Sequence, residues 1–383
     1  MSDLFRQRTA RLQQRLMDED VDIALLAYPD SVYYFTAHWG DLGVEFGRPT
    51  VAAVTISGDV TLITAEMETE MARALTWVDD VRGYADGIGG EWRDPLLDIL
   101  NRTRGKIGFE RYHCPPMVTE FLRQQLDARR LIDTGSMLSS LRMIKSAEEI
   151  RQVRQAGQVA VAMGHAGKEA IAEGVPEYEI CIACMNAGTR KAAEIIGGED
   201  PGSFMTPVIH NLQVLNSAHF TSMTHRHPTV RKLERGDPVY MCFCCIAHFK
   251  QLKLGYDREY FLASVTDEQG RVYEAAIEAQ RAAVSAIRPG VTAEAVHFEA
   301  LEVYQKHGFG NAYRTGRAIG YSSLEKPELK AGDKTVLAPG MVFAVDGGIT
   351  VPGKFGARVG DTIIVTERGS ECATEYPRDL TVL

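Results

Sequence analysis

His225 stands in the segment His225-Arg226-His227-Pro228, eleven residues before Gly236-Asp237-Pro238-Val239. Beyond that turn come Cys242-Phe243-Cys244-Cys245 and Gly255-Tyr256-Asp257-Arg258. A further carboxylate, Asp346, follows Pro339-Gly340-Met341-Val342-Phe343. Imidazole is the one side chain whose ordinary pKa, about 6.5, lets it both give and take a proton near neutral pH. Carboxylates carried on strands can bind a cationic group or stabilise positive charge as it develops. A histidine on a loop facing such carboxylates is therefore a layout for acid–base chemistry. Composition alone gives Asp257-Arg258 an equal claim as a surface ion pair, and a lone histidine is more often structural than catalytic.

The cysteines offer a second chemistry. Cys181-Ile182-Ala183-Cys184 has the spacing of a redox or zinc pair, but it lies in a helical pattern with no second pair and no flanking turn. Two small buried side chains are the simpler reading, because cysteine is among the most buried residue types. Cys242 and Cys244 would share one face of a strand; packing is the better reading there too.

Elements to position these residues can be read along the chain. Leu4, Phe5, Leu12 and Leu16 among Arg and Gln predict an amphipathic helix over 4–17. Val21 to Ala27 predicts a buried strand. Val51–Ile56 and Val60–Thr64 flank Ser57-Gly58-Asp59 as a hairpin. A helix over 66–76, a strand at 106–110 and a helix at 116–127 complete a small α/β domain ending near residue 135. From Ser146-Ala147-Glu148-Glu149 the pattern changes: a capping residue precedes acidic groups that oppose the helix dipole. Gly174-Val175-Pro176 ends that helix and Glu177 opens the next. Strands are expected at about 239–247 and 256–265, helices at 268–287 and 292–307, and strands again near 341–349 and 357–367.

The whole chain sets bounds on function. Its 383 residues suggest two or three domains, and 45% hydrophobic with 24% charged residues is ordinary for a globular protein. A net charge of −9 argues against broad nucleic-acid binding, which needs clustered Lys and Arg. The N-terminus lacks the apolar core of a signal peptide, and no run reaches the roughly 18 apolar residues of a membrane helix. Seven cysteines, an odd count, point to a reducing cytoplasm rather than a secreted disulfide framework.

Arg142-Met143-Ile144-Lys145-Ser146-Ala147-Glu148-Glu149-Ile150, Gly174-Val175-Pro176-Glu177, His225-x-x-Pro228, Gly236-Asp237-Pro238-Val239, Pro339-Gly340-Met341-Val342 and Arg358-Val359-Gly360-Asp361-Thr362 together resemble the creatinase/prolidase family. The order and spacing of these segments match that family over nearly the whole chain. The resemblance implies an α+β class: a pita-bread catalytic domain over 151–383, a smaller α/β N-terminal domain over 1–136, and 137–150 as linker and start of the first catalytic-domain helix.

Peptidases of that family hold two metal ions through two Asp, one His and two Glu. At the matching positions this chain has Cys242, Lys253 (or Gly255 with a longer connection), Arg317, Asp346 and Gly360. Only Asp346 is a hard oxygen ligand, and Arg317 puts a fixed positive charge where a dication would sit. The expectation is no metal and no other cofactor.

Creatinase is a metal-free member, and three segments resemble it: Phe46-Gly47-Arg48, Asp257-Arg258-x-x-Phe261, and His225 at its spacing to Gly236. The likeness implies His225 as general acid/base, with Phe46, Arg48, Asp257, Arg258, Arg317 and Asp346 as substrate-binding residues. It also implies a homodimer in which Arg48 reaches a neighbouring subunit's site. Both creatinase Glu positions are Asp here, each retracted by about 1.5 Å. The expected function is metal-independent hydrolysis of a C–N bond in a small zwitterionic guanidino or amidino carboxylate. Its rivals are another non-peptidase of this fold such as ectoine hydrolase, a metal-dependent Xaa-Pro peptidase, and an inactive ligand-binding protein.

Overall fold

The computed structural model describes residues 2–40, 46–87, 89–209, 214–243, 249–310 and 314–383. Cys244 and Cys245 lie outside the described residues, as does the end of the strand expected at 239–247. The chain forms two compact units, Met1–Leu141 and Arg142–Leu383.

The first unit is built on a mixed sheet of β1 (Ile23–Leu26), β2 (Val51–Thr55), β3 (Val60–Ala65), β4 (Asp80–Tyr84), β5 (Ile107–Phe109) and β6 (Leu131–Asp133), in the order β4-β3-β2-β1-β5-β6. The expected hairpin is β2–β3, paired Val51↔Ile63 to Val54↔Val60. Alternation along the strands puts Ile23, Leu25, Val51 and Ala53 on one face. There they pack with Leu96, Val118 and Phe121 from helices Arg93–Arg102 and Pro116–Gln125.

The second unit contains β7 (Val214–Ser217), β8 (Pro238–Cys242), β9 (Asp257–Phe261), β10 (Gly316–Ala318), β11 (Glu325–Leu329), β12 (Val342–Val345), β13 (Gly348–Val351), β14 (Phe355–Arg358), β15 (Asp361–Val365) and β16 (Ser370–Cys372). They form an antiparallel sheet β7-β8-β9, an antiparallel sheet β11-β10-β12-β15-β16, and the ribbon β13–β14. Helix Ala147–Ala170 begins with a capping box: Ser146 accepts from the Glu149 N–H and Glu149 accepts from the Ser146 N–H. Helices Asp267–Ala286 and Ala293–Lys306 bury Ala276, Ala279, Val296 and Ala300 in one core with Phe343, Val345, Ile363 and Val365.

Two sequence motifs meet at Gly340. Its φ of +87° suits glycine, and its carbonyl accepts from the Lys145 N–H at 2.9 Å. A Cβ there would lie 2.9 Å from the Lys145 carbonyl oxygen. The linker segment and Pro339-Gly340-Met341 are thus two sides of one contact.

The strands expected at 341–349 and 357–367 are each broken in two. β12 pairs with β15 as far as Val345↔Asp361, and pairing resumes at Gly348↔Arg358 in the β13–β14 ribbon. Asp346 and Gly360 sit in the gap. The physical reason lies on β9: Asp257 takes the backbone groups of Gly360, with N–H to carbonyl distances of 3.0 and 3.2 Å in the two directions. That bridge joins the three-stranded sheet to the larger one.

Arg258 secures the junction, and it corrects the expectation that it binds substrate. Its Nε donates to the Pro377 carbonyl. Its two terminal nitrogens donate to the carbonyls of Asp257, Gly360 and Tyr376 and to Asp361 Oδ1, all at 2.7–2.9 Å. A guanidinium has five N–H donors, and all five are used inside the protein. Nor is Asp257-Arg258 a surface pair, since both residues are 1% exposed. Arg258→Met is expected to cost about 3 kcal/mol or more, because it strands buried acceptors and removes one cation from Asp361. Chemical denaturation measures this; a loss below about 1 kcal/mol would contradict the role.

Candidate active site

Three of the expected residues come together at the strand break. A Cβ placed on Gly360 would lie 2.5 Å from Asp257 Oδ2 and 3.0 Å from Asp346 Cβ. Glycine here leaves room for both acidic residues. Arg317, on β10 next to β12, ion-pairs with Asp346 through one terminal nitrogen and donates from Nε to the Ser323 carbonyl at 2.9 Å. Both partners are largely buried, so the pair is shielded from solvent and salt.

Lys253 arrives at the same turn. Its backbone N–H donates to the Gly320 carbonyl at 2.7 Å, and its ammonium donates to the Tyr321 carbonyl. The side chain is buried, which is rare for lysine outside a functional or paired setting. Cys242 pairs across β8–β9 with Asp257 and packs with Val214 and Tyr240, in keeping with the packing reading. Cys181 and Cys184 are buried in helix Glu177–Glu199, and burial pushes their thiols up, Cys181 to about 12. Neither has thiolate character at neutral pH.

His225 lies on a loop pinned on both sides. Before it, the Arg358 guanidinium donates to the Thr221 carbonyl at 2.9 Å, Thr224 Oγ1 at 2.7 Å and Thr350 Oγ1 at 2.6 Å. The Gly356 N–H donates to Thr221 Oγ1 at 3.0 Å. After it, Arg226 donates to both oxygens of Glu177 at 3.0 and 2.9 Å. Glu177 is fully buried and also accepts from Ser217 Oγ, the Thr229 N–H and Thr229 Oγ1. The His225 ring between these anchors is exposed and hydrogen-bonds to nothing among the described residues. The loop is mounted on the β13–β14 ribbon, whose base carries Asp346 and Gly360.

Phe46 and Arg48 belong to the first unit. Phe46 is 65% exposed. Arg48 Nε pairs with Asp86 Oδ1 at 2.6 Å, and a terminal nitrogen donates to the Phe46 carbonyl at 2.8 Å.

Sequence reasoning did not single out Glu177, Arg358 and Glu259. Glu259 lies two residues beyond Asp257 on β9, hence on the same face, and that alternation is the signal that could have found it. One of its oxygens accepts the Arg358 N–H at 3.0 Å; the other is buried without a hydrogen-bond partner. Burial pushes its carboxyl up to about 8, with the Arg358 N–H and charge acting in the opposite direction.

The donor set does not fit the paired metals of the family's peptidases. A glutamate in place of Gly360 would displace the Asp257 carboxylate and crowd Asp346, and Arg317 is bonded to the one remaining ligand-type carboxylate. Among the described residues, no three His, Cys, Asp or Glu side chains are grouped to hold a metal ion.

Comparison with known proteins assigns the fold. The metallopeptidase family M24 profile matches residues 151–367, and the creatinase/prolidase N-terminal domain profile matches residues 8–144. The chain belongs to family M24 and has the two-domain creatinase/prolidase architecture with the pita-bread fold. It is 30% identical to a Rhizobium rhizogenes protein named agropine synthesis cyclase, over 98% of this chain and 96% of that one. It is 27% identical to creatinase from Bacillus sp. (strain B-0618), over 97% and 90% of the two chains. The prolidase structure from Pyrococcus furiosus superposes with a TM-score of 0.79 at 25% identity, covering 95% of this chain and 99% of that one. No helix among the described residues is long and apolar enough to cross a membrane.

Glu259 makes stability depend on pH. An unfolded glutamate titrates near about 4.3, so between there and about 8 the folded state keeps a proton that the unfolded state releases. Its contribution is fully present below the lower value and is lost as pH rises through the upper one. Glu259→Gln keeps an acceptor for the Arg358 N–H and abolishes this loss. The variant should melt above the wild type at alkaline pH, with the gap closing as pH falls toward about 4. A melting-temperature difference constant across pH would contradict this.

Proposed function

We propose that this protein is a metal-independent enzyme that hydrolyses a C–N bond in a small zwitterionic guanidino or amidino carboxylate, creatine or a relative. The observation that supports this most is the convergence of Asp257 and Asp346 on Gly360, with Arg317 bonded to Asp346. Two carboxylates offer a seat for a cationic nitrogen group. Arg317 offsets the charge of Asp346, and in this reading Asp257 faces the substrate cation. Its position one methylene behind the creatinase glutamate suits a bulkier cationic end.

In this reading His225 is the general acid and base. Its exposed ring takes a proton from the attacking water and returns it to the leaving nitrogen. The pinned neighbours Thr224 and Arg226 hold its backbone, so little order has to be created when substrate arrives. Arg48 would meet the substrate carboxylate from the N-terminal domain of a neighbouring subunit, exchanging Asp86 for it. Asp257 stabilises the cation that develops as the leaving nitrogen is protonated.

The likeness to a protein named as a cyclase favours one second reading. Ring closure uses the same groups: His225 takes the proton of a nucleophile within the substrate, that nucleophile attacks the carbon of the C–N bond in place of water, and His225 returns the proton to the nitrogen that leaves. A peptidase reading draws less support, because four of the five metal-ligand positions carry residues unsuited to a hard dication.

The test is a panel of creatine, other guanidino and amidino carboxylates, ectoine and opine-type conjugates, analysed by mass spectrometry for gain of water or for ring formation. Turnover is expected to survive EDTA and to fall by about 10²-fold or more in His225→Ala. Activity that is lost on chelation and restored by Mn²⁺ would overturn the reading.

A further inference from the structure

The connection from β10 to β11 returns to the Arg317 side chain, where the Ser323 carbonyl accepts from Arg317 Nε at 2.9 Å. A guanidinium is planar, so a bond at Nε fixes the plane in which its terminal nitrogens reach Asp346. The place of Ser323 is not set by the ladder alone. Arg317 pairs with Glu328 but Ala318 pairs with Glu325, which leaves Lys326 and Pro327 outside the pairing. A buried ion pair holds the connection instead. Glu325 Oε1 accepts the Ser322 N–H at 3.2 Å, and Glu325 Oε2 accepts from Lys145 Nζ at 2.7 Å. The two side chains are 4% and 1% exposed. A Cβ on Gly320 would lie 3.0 Å from both Glu325 Oε1 and Lys145 Cε, so the turn backbone packs directly on the pair. Arg142 adds a bond to Ser322 Oγ at 3.0 Å. Lys145 also reaches the other half of the site. Its backbone N–H donates to the Gly340 carbonyl at 2.9 Å, and Gly340 precedes β12, the strand that ends beside Asp346. One residue thus ties down both the connection that orients Arg317 and the strand that delivers Asp346.

We propose that Lys145 and Glu325 are positioning residues for Arg317: their buried pair fixes the 320–325 connection so that Ser323 aims the guanidinium at Asp346. The proposal rests on the reading of Asp257 and Asp346 as the seat of a substrate cation, and deepens it. Held by Ser323, Arg317 is committed to Asp346 and leaves Asp257 to the substrate. Released from Ser323, the guanidinium is itself a cation that can span both carboxylates and compete for the seat. The pair therefore governs how tightly the site takes a cationic group, through Arg317 and without touching the substrate.

The test compares the full-length wild type with Lys145→Met/Glu325→Gln, which breaks the pair, keeps an acceptor for the Ser322 N–H and strands no lone charge. Its crystal structure is expected to show Arg317 Nε away from the Ser323 carbonyl and the guanidinium no longer confined to Asp346. Arg317 still bonded to both Ser323 and Asp346 overturns the inference. With a substrate from the panel above, KM is expected to rise about tenfold with kcat little changed. Lys145→Arg, which keeps the pair, should retain the wild-type KM. In an Arg317→Met background the pair substitution should leave KM where Arg317→Met alone puts it. A merely structural role would lower the folded fraction, followed by circular dichroism melting, and leave KM unchanged; that result also overturns the inference. Lys145→Gln/Glu325→Gln serves if the first variant does not fold. If the wild type turns over nothing in the panel, the proposed function fails, and the crystal structure of the variant alone decides this inference.

Discussion

The Arg317 guanidinium bonds the Asp346 carboxylate where the β12–β15 pairing gives way to the β13–β14 ribbon. The candidate site is arranged around that contact. It places a permanent charge beside the acidic pair, at the point where the strands part at Asp346 and Gly360. The parting in turn depends on Asp257, whose backbone claims Gly360. Gly360 has a double role, since its backbone joins two sheets and its missing side chain leaves room for Asp257 and Asp346. A buried charge pair of this kind is poor evidence for added stability. Its value here is chemical: it sets the local charge and hence what can bind.

The histidine loop is attached to the same structure by separate means. Arg358 holds the residues before His225 and Glu177 holds those after it, which leaves the imidazole exposed between two anchors. Arg358 is also the backbone donor to Glu259, on the strand that carries Asp257. The loop with His225 and the strand with Asp257 are therefore referenced to one ribbon. Asp361 ties the neighbouring segments together, accepting from Arg258, Thr374 and Arg378.

Much of this was legible in the sequence, and the parts that were not share physical causes. The long helices announced themselves by period and caps; Ser146 and Glu149 form the capping box that their spacing suggests. The hairpin at Ser57-Gly58-Asp59 and the convergence of Asp257, Asp346 and Arg317 also followed from pattern and resemblance. Short strands escaped. β7 reads Val-Leu-Asn-Ser and β10 reads Gly-Arg-Ala, neither with the apolar alternation that marks a strand, because their pairing partners supply the order. The broken strands at 342–351 and 355–365 read as continuous runs, since nothing local betrays that a third strand will take Gly360. Arg258 was misassigned for the same reason. A motif places an arginine beside a catalytic carboxylate, but only the fold shows that strand alternation sends its side chain to the opposite face. Glu177 and Arg358 were visible as motif letters whose partners lie dozens of residues away.

The central claim is that Arg317, not a metal, stands against Asp346 beside Asp257. Anomalous diffraction from crystals of the wild type soaked in Mn²⁺ at neutral pH tests it most directly. The account predicts no anomalous peak between the two carboxylates, with Arg317 still bonded to Asp346 and Lys253 at the 321–323 turn. A strong peak within coordinating distance of both carboxylates, with Arg317 displaced, would contradict it.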